Sequence, residues 1–160
     1  MCIRDSDTID YLLEGFAALG VILLIAFPLF YFNQLPDMVP THFDMSGNPD
    51  RFDKKSSLFI VPVIGTLLYL FLHFLSRNPH TFNYGVKITA ENAAYQYRIG
   101  VRLTRMINAL TMVLLASLNF FSIQIALKKM ESIPSFLSWG FLFLIMGTVI
   151  YFLFKSLKNG

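Results

Sequence analysis

The sequence predicts an all-α membrane protein with four transmembrane helices and a structured polar loop between the first and second. Three observations predict this class. Hydrophobic residues make up 55% of the 160 residues and charged residues only 14%, whereas a soluble domain carries about 25% charged residues. Mean hydropathy is +0.57. Four long apolar runs lack the charged side chains that recur every three or four positions in a soluble helical bundle.

The four runs cover residues of about 12–32, 56–76, 106–127 and 133–154. Each is long enough to cross about 30 Å of hydrocarbon as a helix. From Gly15 onward none of them contains Asp, Glu, Lys or Arg, and His73 is their only histidine. We therefore expect one four-span membrane domain at residues 7–160. The third run carries a polar stripe that includes Asn108 and Asn119, which is typical of contacts between membrane helices.

The first six residues, MCIRDS, resemble a translated sequencing adapter, so residues 1–6 are interpreted as a scar and left out of functional reasoning. Cys2, the only cysteine, falls in this segment. The remaining chain therefore has no cysteine for disulfides, thiolate catalysis or cysteine-based metal sites.

The distribution of Lys and Arg predicts the orientation of the spans. With four spans, both termini share one side with the 77–105 loop. That side holds seven basic residues and the other side five: Arg77, Lys87, Arg98, Arg102, Arg105, Lys155 and Lys158, against Arg51, Lys54, Lys55, Lys128 and Lys129. The positive-inside rule places the termini and the 77–105 loop in the cytoplasm. Arg98, Arg102 and Arg105 recur at helical spacing, which favours contact with anionic lipid headgroups; an acidic partner is the alternative.

The loop at residues 33–56 then faces outward, and its sequence indicates a defined structure. Pro36 and Pro40 favour extended backbone in the residues before them, and Asp44 and Gly47 are turn formers. We expect residues 41–44 to form a short extended piece in which His42 and Asp44 point the same way.

Two interpretations of the loop's polar residues remain open. His42, Asp44, Asp50 and Asp53 supply the ligand types of a divalent metal, with His42, Asp44 and Asp50 as the first candidates. Their spacing matches neither the HExxH helix nor the EF-hand loop. The alternative is that the aspartates cap turns and pair with neighbouring Lys and Arg side chains. A hydrolase with His42 as base lacks an evident nucleophile.

The same loop resembles the signature of the domain of unknown function 1648 (DUF1648) family of bacterial integral membrane proteins, LPxxIPxHFxxxGxxDxxGxK. The matching residues are Leu35, Pro36, Pro40, His42, Phe43, Gly47, Asp50 and Lys55. The similarity extends over about residues 11–127. Asp53 stands where the family often has glycine, so the turn after Asp50 is expected to differ. The family's best-known relative is the immunity protein of the SDP cannibalism toxin system, which also sequesters a repressor at the membrane.

The sequence therefore predicts an uncharacterised protein of the bacterial inner membrane with an immunity or sensing role. Its binding or loop-shaping residues would be Pro36, Pro40, His42, Phe43, Asp44, Gly47, Asp50 and Lys55. Expected partners are the lipid bilayer and a peptide toxin, an envelope ligand or a cytoplasmic regulator. No cofactor is expected, and a net charge of +3 gives no support to nucleic acid. The alternatives are a membrane enzyme with a metal at the loop, a small transporter or an accessory subunit.

Overall fold

The computed structural model describes residues 7–160, apart from the side chain of Ser138. The interpretation of residues 1–6 as an adapter scar lies outside the described residues. Four long helices follow one another: α1 at Thr8–Tyr31, α2 at Ile60–Leu75, α3 at Ala93–Ala126 and α4 at Ser135–Lys158. All four, α2 together with the short 3₁₀ turn before it, are long and apolar enough to cross a membrane. The predicted fold class is confirmed, and the chain is a multi-pass membrane protein.

Helix α3 is the central helix, and each of the other three packs against it. Leu13 and Ala17 of α1 meet Ala109 and Met112 of α3 in one buried cluster. The two helices approach closely at Gly20, where an added Cβ would lie 2.8 Å from the Met112 Cβ. The absence of a side chain at this position therefore permits the dense packing of the α1–α3 pair.

The ends of α1 and α4 nearest the termini are fixed on α3 by polar contacts. Asp7 caps α1 and exchanges hydrogen bonds with Asp10 in a capping box, which satisfies amide groups that have no partner within the helix. On α3, the fully buried Gln96 donates to the carbonyl of Ser156, in the last turn of α4, and to that of Asn159, which follows the helix. It also accepts from the Ser156 hydroxyl. These bonds connect α3 with the C-terminal end of α4.

The other surfaces of α1, α2 and α4 remain apolar and exposed. Leu67 on α2 and Phe136, Phe143 and Phe154 on α4 are each more than 60% exposed. A water-soluble protein rarely leaves such continuous apolar surface uncovered, and a lipid bilayer is the environment that covers it here.

The loop between α1 and α2 contains a β-hairpin, a feature that the helical prediction did not include. Strand β1, Met38–Phe43, pairs antiparallel with strand β2, Pro49–Lys54. The register is irregular between Pro40 and Phe43. The extended piece expected at residues 41–44 ends one residue early, because Asp44 belongs to the turn. His42 and Asp44 therefore do not form the same-facing strand pair that alternation predicted.

Helix α3 and the 3₁₀ turn before α2 support the hairpin at its base. Leu35 and Val39 pack with Leu58 and with Ile123 of α3 in a second buried cluster. Val39 is completely buried, as is Pro40 beside it. The apolar anchor fixes the hairpin at the end of the helical bundle reached by the C-terminus of α1.

Candidate binding site on the hairpin

The turn of the hairpin is built on Asp44 and Gly47. One carboxylate oxygen of Asp44 accepts from the backbone N–H of Ser46 at 2.8 Å and of Asn48 at 2.9 Å. The bond from Asn48 is the main reason why the pKa of this carboxyl lies below its ordinary value. Gly47 has a φ of +86°, a left-handed conformation that strains residues with a side chain. Both residues therefore shape the turn of the hairpin, and a role of either in ligand binding stays a prediction.

The tip of the hairpin is docked on the connection between α3 and α4. The Gly47 carbonyl accepts from the Ile133 N–H at 2.8 Å. An added Cβ at Gly47 would lie 2.0 Å from the Ile133 carbonyl oxygen. Glycine is thus required by its conformation and also by the closeness of this contact. Ile133 was not among the residues singled out from the sequence, since nothing local to it indicates a partner 86 residues away.

His42 and Asp50 form a pair across the two strands. His42 Nδ1 lies 2.6 Å from an Asp50 carboxylate oxygen, and the two side chains are 61% and 45% exposed. Two of the eight motif residues selected from the sequence are therefore brought together at an exposed position of the hairpin. Met45 and Phe52, 76% and 49% exposed, add apolar surface to the hairpin. Charged, hydrogen-bonding and apolar side chains are therefore exposed together on the hairpin.

Asp53 has a defined cross-strand role. Its carboxylate accepts from the Thr41 hydroxyl at 2.5 Å and lies 3.2 Å from the Arg51 guanidinium. Thr41 belongs to β1 and the other two residues to β2. The aspartate therefore joins the strands where the sequence predicted only a different turn.

Two further motif residues, Pro40 and Lys55, support the base of the hairpin. The Pro40 carbonyl accepts a hydrogen bond from the Ser122 hydroxyl of α3. Lys55 places its ammonium group 3.8 Å from Asp37 and 5.1 Å from the centre of the Phe32 ring. Pro36 is exposed and Phe43 is half-buried. Pro40 and Lys55 thus hold the hairpin to the helices, whereas Pro36 presents its ring to the surroundings.

Of the candidate metal residues, only His42 and Asp50 are in direct contact among the described residues. His42 is turned toward Asp50, and the Asp44 carboxylate is occupied with backbone amides of its own turn. Among the described residues, no group of three or more His, Cys, Asp or Glu side chains is arranged to hold a metal ion. The hydrogen bonds of Asp44 agree with the alternative interpretation, in which an aspartate caps the turn.

Two arginines of α3, Arg102 and Arg105, have acidic partners within the protein. Arg102 pairs with Asp7 and, at 3.2 Å, with Asp10. Arg105 lies 3.7 Å from Asp10 and 3.1 Å from Glu14. Sequence reasoning missed these partners because it grouped the arginines by their own spacing. Contact of Arg98, Arg102 and Arg105 with lipid headgroups remains a prediction.

The polar stripe of α3 bonds to neighbouring backbone. The Asn108 amide donates to the Tyr69 carbonyl at 3.3 Å and the Asn119 amide to the Leu58 carbonyl at 3.2 Å. Both asparagines are 4% exposed. The stripe therefore joins α3 to α2 and to the turn that precedes it, as expected for contacts between membrane helices.

A comparison of the chain with known protein families finds the same family that the loop motif resembles. Residues 19–66 match the family described as "Domain of unknown function (DUF1648)". An uncharacterized protein of Archaeoglobus fulgidus is 44% identical over 46 residues, which is 29% of this chain and 25% of the relative. The match thus spans about a quarter of the relative's own length. No solved structure matches the chain. The segment from the second half of α1 to the first turns of α2, including the hairpin, carries the DUF1648 signature that the sequence motif predicted.

Proposed function

We propose that this chain is a bacterial inner-membrane protein whose hairpin recognises a peptide or another envelope component outside the cytoplasm, in an immunity or sensing role. One observation carries the proposal: the hairpin is fixed on one side and displays family-motif residues on the other. Val39 and Pro40 are buried against the helices, while the His42–Asp50 pair is exposed. A surface ordered before binding loses less entropy when a ligand binds.

The chemistry of the outer surface favours a ligand with both polar and apolar groups. The histidine–aspartate pair offers hydrogen-bonding and charged atoms, and Phe52 offers a half-exposed ring across the sheet from Pro40. Immunity is supported by the family resemblance alone. The alternatives gain less support. Among the described residues the candidate metal ligands form no group of three or more, and the amides of Asn108 and Asn119, expected to matter in a transporter, are bonded to backbone.

Two experiments test the proposal. The first places one cysteine at Ser46, at the exposed turn, or at Lys87, in the loop between α2 and α3, in a chain with Cys2 replaced by serine. A membrane-impermeant maleimide should label the cysteine at position 46 in intact cells and the one at position 87 only after permeabilisation. The reverse pattern would place the hairpin in the cytoplasm and refute an extracytoplasmic ligand.

The second experiment looks for the ligand. A photoreactive phenylalanine analogue at Phe52 should form an adduct with an envelope component in intact cells. The adduct should disappear in the double variant His42→Ala and Asp50→Ala, which removes exposed side chains and no buried contact. The same analogue at Phe71, an exposed position on α2, is the matched control for contact with lipid. Equal adducts at the two sites, or an adduct insensitive to the double variant, would contradict the proposal.

A further inference from the structure

We infer that a groove between the hairpin and the helices binds one phospholipid whose headgroup carries both a phosphate and an ammonium group with N–H donors, as phosphoethanolamine does. The groove has a volume of about 290 Å³. It is lined by both strands, the 3₁₀ turn before α2, the first turn of α2 and the C-terminal part of α3. Neither His42 nor Asp50 belongs to the lining, so the inference is independent of the function proposed for that pair and of the side of the membrane that the hairpin faces.

The lining of the groove changes from polar to apolar between the hairpin and the helices. On the hairpin the groove is lined by Thr41, Arg51 and Asp53. Between the helices it is lined by Ile60 of α2 and Leu115 of α3. Ile60 is 57% exposed and belongs to a segment long and apolar enough to cross a membrane. This part of the groove is therefore accessible from the hydrocarbon of a bilayer, and a phospholipid has the same order of polar and apolar parts.

The apolar part is deep enough for the first part of one acyl chain. On α3 it begins at Ser122, whose hydroxyl donates to the Pro40 carbonyl of the hairpin. It extends to Leu115, which lies about 10 Å further along the axis of the helix at the usual rise per residue. Whole small-molecule ligands occupy pockets of about 300–1,000 Å³, and the groove is at the lower end of that range. It therefore holds the headgroup end and part of one chain, while the rest of the lipid stays in the bilayer.

The charged pair of Arg51 and Asp53 selects the headgroup. Arg51 Nε lies 3.2 Å from Asp53 Oδ2, and the side chains are 67% and 46% exposed. The same Oδ2 accepts from the Thr41 hydroxyl. The terminal amino groups of Arg51 and the Oδ1 atom of Asp53 make no hydrogen bond within the described part of the chain. A guanidinium binds a phosphate through two parallel hydrogen bonds, and a carboxylate accepts from an ammonium group. A headgroup with both charges satisfies both side chains, whereas an anionic headgroup leaves Asp53 without a partner for its charge.

A second groove, between α1 and α3, provides an internal comparison. Its volume is about 250 Å³, close to that of the first groove, but its lining contains no charged residue. Phe16, one of its lining residues, is 56% exposed. Lipid chains that enter this second groove are therefore not selected by their headgroup. Only the groove beside the hairpin combines an apolar wall with a pair of opposite charges.

The test measures how phospholipids with brominated chains quench tryptophan fluorescence of the full chain in phosphatidylcholine vesicles. Trp139, the only tryptophan, is replaced by phenylalanine, and Phe43→Trp places a reporter in the lining of the groove. Phosphatidylethanolamine and phosphatidylglycerol are compared, because both have the phosphate and only the first has an ammonium group. At position 43 the ethanolamine lipid should bind about fivefold more tightly, the effect of one exposed ion pair. Phe16→Trp, in the second groove, should show equal quenching by the two lipids. Ile60→Trp is a second reporter in the first groove and should show the same preference even if Phe43→Trp fails to fold.

Two pairs of variants locate the site. Asp53→Asn should abolish the preference for the ethanolamine lipid, whereas Lys54→Gln, at an exposed position outside the lining, should leave it unchanged. Val61→Phe should fill the apolar part of the groove and weaken quenching by both brominated lipids. Val63→Phe, on the same helix at a 59% exposed position outside the lining, is its matched control and should have no effect.

Three results would overturn the inference. Equal quenching by the two lipids at position 43 would mean that the groove contacts only the ordinary surrounding lipid. Absence of quenching there, with normal quenching at position 16, would mean that the groove is closed to lipid or is covered by another protein surface. A preference that persists in Asp53→Asn, or quenching that Val61→Phe leaves unchanged, would place the lipid elsewhere. Each of these results would leave the photo-adduct at Phe52 as an independent test of the proposed function.

Discussion

The contact between the hairpin tip and the α3–α4 connection gives a prediction whose size follows from the structure. Gly47→Ala should undock the tip. Gly47 has a φ of +86°, and placing a residue with a Cβ in this region costs about 1–2 kcal/mol. The new Cβ would lie 2.0 Å from the Ile133 carbonyl oxygen, so the chain must separate and lose the hydrogen bond from the Ile133 N–H. That bond adds about 1 kcal/mol.

The expected loss of docking free energy is therefore about 2.5 kcal/mol, which corresponds to roughly a 70-fold shift in the docking equilibrium. Amide hydrogen exchange of Ile133, measured by NMR in nanodiscs, should accelerate by a similar factor. Gly15→Ala is the matched control, because a Cβ at Gly15 meets nothing within 4 Å, and exchange at Ile133 should not change. An unaltered exchange rate in Gly47→Ala would show that the contact does not hold the tip.

Three further outcomes are expected. Arg102→Ala should lower the free energy of unfolding by about 3 kcal/mol in a denaturant titration, because it removes a partner of the buried Asp10. Gln96→Leu should free the end of α4, seen as faster exchange near Ser156, since three hydrogen bonds are lost. The hairpin turn should weaken in acid: the pKa of Asp44 is lowered from 3.8, so its contribution is complete above that value and is lost as the pH falls through the lower folded-state pKa.

Each outcome has a control. Arg77→Ala, at an exposed position, should leave stability unchanged, and an equal loss there would mean that burial of the ion pair is unimportant. Normal exchange at the end of α4 in Gln96→Leu would contradict the anchoring role of Gln96. For the acid effect, Asp44→Asn keeps the turn geometry without the titrating carboxylate and should remove the pH dependence of the Ser46 amide; persistence of that dependence would assign it to another group.

Local patterns in the sequence predicted the features that depend on neighbouring residues. Residues 12–32 and 106–127 are apolar over a length that crosses a bilayer, and they lie within α1 and α3 and the residues that follow them. The turn formed by Asp44 and Gly47 was likewise predicted, since an aspartate caps nearby amides and glycine adopts positive φ. The irregular register of β1 between Pro40 and Phe43 could not be predicted from the sequence, because it comes from pairing with β2.

The sequence by itself determined that this is a four-span membrane protein with an ordered loop carrying the DUF1648 motif, because apolar length and turn chemistry act over short distances along the chain. Tertiary structure alone decided which polar groups meet. Arg102 pairs with Asp10, 92 residues away, and the Gly47 carbonyl meets Ile133. Such partners follow from how α1, α3 and the hairpin pack together, and no local pattern specifies that arrangement.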